Sequence, residues 1–222
     1  MAGVSALLPI MDVAQVPNAT GRNPDLSNKG HPSKQGIERT RNVATDALKG
    51  NYIGPLMSAV TFVRNYSRLA LKITNRLQRG PQIPLLQQTS RAPAIALISS
   101  LAAVIPAPTR ALYGSTKAAC LILFQSLSIE HPLIAFTHLL PSTVEGDFRA
   151  GAVDGGAANV SEADPNKHGL KKGHVARRCI RAVDCGEKTV FIPGTMRAAM
   201  WVYWLAPRVV EWFARRKYRF QG

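Results

Sequence analysis

The sequence predicts an α/β protein with a parallel sheet covered on both faces, and three observations carry that prediction. Apolar runs of strand length at 94–100, 133–140 and 189–193 are separated by stretches with helical period. The run at 133–140, LIAFTHLL, is continuously apolar rather than alternating, as a strand with helices on both sides requires. A turn-rich stretch, 141–148, follows its carboxyl end, where open α/β sheets place their ligands.

The elements follow in chain order. Residues 1–10 read as a short apolar lead, and 17–41, rich in Pro, Gly and Asn, read as a loop. From 42 to 63 a helical period puts Val43, Ala47, Tyr52, Leu56, Ala59 and Val63 on one buried face. Gly50-Asn51 and Gly54-Pro55 interrupt that helix, and Asn51 sits where a side chain can meet freed backbone groups. The polar stretch 74–92 reads as a loop or insertion before the strand at 94–100. A helix carrying Tyr113 then runs to about Glu130, stopped by His131-Pro132. Residues 149–172, Gly-rich and then basic, read as a mobile loop or lid, and a helix at 174–183 with a strand at 189–193 makes a last α/β step.

Composition narrows the function classes. At 222 residues and 46% hydrophobic content the chain can bury one full core. The net charge of +15 points to an anionic partner, with 13 Lys or Arg against five Asp or Glu in residues 161–222. Aromatic content is only 7%, and no RNA-stacking motif, zinc-finger spacing or basic zipper occurs, so nucleic acid is disfavoured. Cys120, Cys179 and Cys185 form no C-x-x-C pair, which argues for a reducing compartment and against a metal site. The amino terminus has no basic region before its apolar run, unlike a secretory signal. The expected location is therefore intracellular, either cytoplasmic or peripheral on the cytoplasmic face of an internal membrane. Residues 195–220 hold all three tryptophans and end in Arg215, Arg216, Lys217 and Arg219. That apolar stretch is too broken to span a bilayer, so it reads as a pair of amphipathic helices lying on an anionic membrane surface, or packed on its own domain or a partner subunit.

The chemistry concentrates in 96–117. Ser100 ends the first strand, and Tyr113 and Lys117 lie four residues apart on one face of the following helix. A phenol with an unperturbed pKa of about 10 must fall by roughly three units, or roughly 4 kcal/mol, to exchange protons near neutrality. A lysine charge about 5 Å away at an effective dielectric of about 20 contributes roughly 3 kcal/mol of this. Ser100 is placed to hold an oxygen that gains or loses charge. A Tyr-x-x-x-Lys pair alone arises by chance about one time in five at this composition, and the serine thirteen residues earlier lowers that to roughly one in seventy.

Ser100, Tyr113 and Lys117 resemble the catalytic set of the short-chain dehydrogenase/reductase superfamily, and Asn51 falls where that family carries its fourth catalytic residue. The resemblance implies a Rossmann-type three-layer sheet that moves a hydride between NAD(P), with NADP favoured, and a hydrophobic carbonyl or alcohol. It implies that Tyr113 exchanges the proton, Ser100 orients the carbonyl, Asn51 places a relay water, and Lys117 lowers the Tyr113 pKa and holds the nicotinamide ribose. Ala2-Gly3 resembles the end of the family's Asn-Asn-Ala-Gly motif, and Pro141, Ser142, Thr143 and Val144 resemble its Pro-Gly turn at the nicotinamide, with Ser142 in place of Gly. Gly3, Tyr113, Lys117 and 141–144 are thus the expected cofactor contacts.

No G-x-x-x-G-x-G occurs in the sequence. The expected layout is therefore a Rossmann domain incomplete at its amino end over 1–194, covering about the later two-thirds of the family domain, then an amphipathic tail at 195–222. The tail is similar to that of membrane-associated members. A homodimer is in keeping with the resemblance, and the rival readings are a non-catalytic remnant and a basic membrane-surface protein.

Overall fold

A computed structural model describes residues 3–16, 32–77, 93–156 and 164–218 of the chain. The three apolar runs form β1 (Ala94–Ile98), β2 (Ala135–Pro141) and β3 (Thr189–Ile192), parallel and in the order β1-β2-β3. Leu97 stands opposite His138, and His138 opposite Thr189. Side chains alternate across a strand, and β2 uses both faces. Phe136 and Leu140 join one buried cluster, and Leu139 joins another on the opposite side.

Each cluster is closed by a helix whose sequence supplies the matching stripe. On the first face, α4 (Ala111–Glu130) packs Cys120, Leu121 and Phe124 against Leu97, Phe136 and Leu140. On the second, α6 (Lys172–Asp184) brings Val175, Cys179 and Ala182 to Leu139, Val190 and Ile192, a spacing that keeps one helix face inward. The result is a three-layer α/β sheet of Rossmann type. Burial of each large aliphatic in such a core contributes about 2 kcal/mol.

The break predicted around Asn51 is a single wide turn of π-helix, Lys49–Ile53, between α2 (Lys34–Leu48) and α3 (Gly54–Leu77). Val43, Ala47 and Ala59 are buried and Tyr52, Leu56 and Val63 half-buried, so the predicted stripe is the one that faces inward. Two expectations are corrected here. A helix rather than a loop occupies 34–41, because Ser33 caps its start by accepting the Gly36 N–H at 3.0 Å. Only Gly36 is buried within that first stretch, so the apolar period that would announce a helix is missing. Helix α3 also continues to Leu77, past the predicted start of a loop at 74. Residues 17–31 and 78–92, the other parts of the two predicted loops, lie outside the described residues.

Part of the predicted lid is tied down. The Val153 N–H donates to the Ser5 carbonyl at 2.9 Å, and the buried Asp154 carboxylate accepts the N–H groups of Leu7, Leu8 and Gly156. A short helix, α5 (Pro165–His168), lies beyond it, and 157–163 fall outside the described residues. The predicted tail forms α7 (Met196–Leu205) and α8 (Pro207–Tyr218). Met196 and Met200 pack α7 onto the first cluster. No helix among the described residues is long and apolar enough to cross a membrane.

His138 is buried in β2, and neither ring nitrogen has a hydrogen-bond partner among the described residues. Burial holds its pKa below the ordinary 6.5, against a smaller opposing pull from the backbone at Phe124 and Lys188. The unfolded chain therefore takes up this proton before the folded one does, and stability falls as pH drops from 6.5 through the folded value. We expect urea unfolding to show stability falling as pH drops below about 6.5, and His138→Leu, which leaves no buried nitrogen unpaired, to flatten that fall.

Candidate active site

The loop leaving β1 carries Ser100 directly into a 3-10 turn, Leu101–Ala103, where the Ser100 hydroxyl accepts the Ala102 N–H at 3.2 Å. Helix α4 begins against this turn. Gly114 makes the approach feasible, because a Cβ there would stand 2.9 Å from the Ala102 carbonyl oxygen. The close packing brings the Tyr113 phenol and Ser100 to the wall of one cavity, near enough for the Ser100 hydroxyl to pull the phenol's pKa down. One turn along α4, the Lys117 ammonium lies 5.9 Å from the Tyr113 ring centre and donates to the Ile98 carbonyl at 3.2 Å. Ser100, Tyr113 and Lys117 are thus brought together by the β1-to-α4 connection.

The electrostatics differ from what spacing alone suggests. Burial pushes the Tyr113 pKa above its ordinary value, with the Ser100 hydroxyl and the Arg110 charge pulling it partly back. Burial also lowers the Lys117 pKa, with a small opposing effect from Cys120. Lys117 turns its ammonium to the Ile98 carbonyl, so Ser100 and Arg110 are the groups that favour the phenolate here. The phenol is accordingly protonated at neutral pH, the form that can donate a proton.

Asn51 is wholly buried, and its amide is committed to protein partners. Its Oδ1 accepts the Val4 N–H at 2.8 Å, and its Nδ2 donates to the Val4 carbonyl at 2.8 Å and to Thr116 Oγ1 at 3.1 Å. Thr116 in turn donates to the Tyr113 carbonyl at 2.9 Å. The wide π turn thus ties residues 3–4 to the helix that bears Tyr113 and Lys117. Both Nδ2 hydrogens are engaged, which leaves one Oδ1 lone pair as the acceptor not used by these bonds.

Gly3 lies beside this clamp, and Ala2 is outside the described residues. A Cβ on Gly3 would stand 2.7 Å from Asn51 Oδ1 and 2.9 Å from Lys117 Nζ, so only glycine keeps that space open. On the far side, the turn 141–144 is held by neighbouring strands and loops. The Ser142 N–H donates to the Ile192 carbonyl at 2.8 Å, and the Thr143 carbonyl accepts from Leu170 at 2.9 Å. Just beyond it, Glu145 pairs with Lys171 at 2.9 Å and accepts the Lys172 N–H, contacts that hold its carboxyl below the usual range.

Gly3, Ser100, Tyr113, Lys117 and 141–144 all line one cavity of about 1130 Å³, whose opposite wall includes Val210, Phe213 and Ala214 of α8. The sequence reading passed over Thr116, Arg110 and Ser99. Ser99 lines the cavity with a buried hydroxyl that has no hydrogen-bond partner among the described residues. The one advance signal for Thr116 was a hydroxyl residue inside the Tyr-x-x-x-Lys spacer. The open cradle at Gly3, the Ser99 hydroxyl and Lys117 fit the ribose end of a nicotinamide nucleotide. No Gly-rich strand-to-helix turn that would hold its phosphates occurs in the sequence.

No family profile matches the chain. Over 131 residues, 56% of its length, it is 28% identical to 11-beta-hydroxysteroid dehydrogenase A of Sesamum indicum. The chain is a short-chain dehydrogenase/reductase-like protein. This SDR-like chain spans 38% of the sesame relative's length. Among solved structures it is similar to an alcohol dehydrogenase from Thermococcus sibiricus complexed with 5-hydroxy-NADP, at TM-score 0.45 and 18% identity over 72% of this chain and 54% of that one. It is also similar to a short-chain dehydrogenase from Sphingobium yanoikuyae in complex with NADPH, at TM-score 0.39 and 24% identity over 79% of this chain and 56% of that one.

Two substitutions probe the SDR-like site. Thr116→Val removes the partner of both Asn51 and the Tyr113 carbonyl and should cost about 1–2 kcal/mol in urea unfolding, with Thr116→Ser restoring most of it. Lys117→Met exchanges a buried ammonium for an apolar chain of similar length. Its unfolding free energy should stay within about 1 kcal/mol of the parent or rise, so any loss of ligand binding is not a loss of fold.

Proposed function

We propose that this chain supplies the proton-transfer site of an NAD(P)-dependent oxidoreductase of the carbonyl reductase or alcohol dehydrogenase type, acting on a hydrophobic substrate. The observation that carries the reading is the Tyr113 phenol sharing a largely apolar cavity with Ser100, with the Lys117 ammonium 5.9 Å from its ring centre. In reduction, Ser100 orients the substrate carbonyl oxygen and Tyr113 delivers a proton to it. Lys117 holds the ribose hydroxyls, and Gly3 and 141–144 receive the nicotinamide. The bound nucleotide supplies the hydride in reduction and accepts it in oxidation. NADP is the first cofactor to test, because a chain of net charge +15 favours the ligand with the additional phosphate. The name of the sesame relative makes a steroid ketone the first substrate to try.

A second reading, a non-catalytic remnant, is favoured by the edge of β1. Among the described residues β1 pairs only with β2, and Ile98 is 51% exposed. An unpaired apolar strand edge is costly to leave in water. Titration of the chain with NADPH, followed by nicotinamide fluorescence, decides between the two. Saturable binding is expected, with Tyr113→Phe binding normally and losing turnover by about 10²–10⁴-fold. No saturation at millimolar cofactor would leave the remnant reading standing. Because burial raises the Tyr113 pKa, reduction should hold from neutral pH up to about pH 10 and decline above it as the phenol ionises, with oxidation rising instead.

A further inference from the structure

Helices α7 and α8 divide their residues by face. Val210, Ala214 and Tyr218, spaced four apart, are half-buried on the side of α8 toward the domain, as Met196 and Met200 are on α7. Five of the other large apolar residues are exposed, Trp201, Trp204, Leu205, Trp212 and Phe213, with Trp204 at 71% and Leu205 at 83%. Outward apolar residues this dense on two adjoining helices exceed the scattered exposure usual on a monomer.

Charge selects what covers them. The two helices carry five Lys or Arg residues, Arg197, Arg208, Arg215, Arg216 and Lys217, and Glu211 is their single carboxylate. Arg216 stacks over the Trp212 ring at 5.6 Å, beside Phe213 at 4.9 Å from Trp212. Aromatic rings flanked by guanidinium groups suit the boundary between acyl chains and phosphate headgroups. A second copy would bring the same positive charge against itself.

We infer that the outward face of the α7–α8 hairpin docks on an anionic phospholipid surface. The hairpin lies in the headgroup layer, with Trp204, Leu205, Trp212 and Phe213 in the outer acyl region and Arg208, Arg215 and Arg216 at the phosphates. Phe213 also lines the Tyr113 cavity with Val210 and Ala214, so the docked helix sets one wall of the cavity against the lipid. Entry of a hydrophobic substrate from the bilayer is the one part of this inference that rests on the proposed oxidoreductase activity.

The protein carries its own probe, since all three tryptophans lie on α7 and α8. With phosphatidylcholine–phosphatidylserine vesicles, the tryptophan emission should shift to the blue, be quenched by brominated lipid, and co-sediment with the vesicles. Binding to phosphatidylcholine alone should be about tenfold weaker, and added salt should reduce the difference. Trp204→Ser with Leu205→Ser should weaken partitioning about tenfold or more, and Arg215→Glu with Arg216→Glu should abolish the preference for anionic lipid. These side chains are exposed, so an unchanged unfolding midpoint checks that each variant is folded. The inference is overturned by unshifted emission with the protein left in the supernatant, or by equal binding to neutral and anionic vesicles. A blue shift that appears without lipid as protein concentration and sedimentation coefficient rise together assigns the face to a second copy and overturns it as well. No cofactor is present in these measurements, so docking stands or falls independently of NADPH binding.

Discussion

The Asn51 amide holds the site together. It replaces the backbone pairing that Val4 would find in a strand and, through Thr116, fastens that segment to the helix bearing Tyr113 and Lys117. An Asn side chain can imitate a peptide group in this way because it presents one acceptor and two donors in a plane. An ordinary α-turn confines its side chains to the helix flank. The five-residue π turn gives Asn51 a wholly buried position between residues 3–4 and α4.

Burial has two consequences at this site. It raises the Tyr113 pKa and lowers that of Lys117, so an undocked cavity holds a neutral phenol and a disfavoured ammonium. Keeping a charge in such surroundings costs stability, and it persists only where the surrounding packing is strong enough to carry it. Here that packing comes from the first buried cluster, to which α4 contributes Cys120, Leu121 and Phe124 just beyond Lys117. The same helix therefore pays for the site and builds it.

The hairpin α7–α8 joins the core to the exposed surface. Its inner face joins the core and the cavity wall, and its outer face carries the aromatic and basic residues. A single pair of helices thus walls the Tyr113 cavity on one side and presents exposed aromatic and basic side chains on the other.

Much of this was legible from the residues. Strand runs were readable because β2 is buried on both faces and so is apolar throughout, and the helix break was readable because two glycines and a proline fall within six residues of Asn51. The beginning of α2 was not, since its first turns bury only Gly36 and leave no period to detect. Nor was the tethering of 149–156, which depends on Asp154 reaching backbone groups 146 and 147 residues away. By itself, the sequence determined the identity and spacing of Ser100, Tyr113 and Lys117, because those depend on helical period and strand length, which are local. Only the tertiary structure decided which charges act on Tyr113, what Asn51 holds, and which face of the hairpin is left outward, because burial and long-range contacts have no local signature.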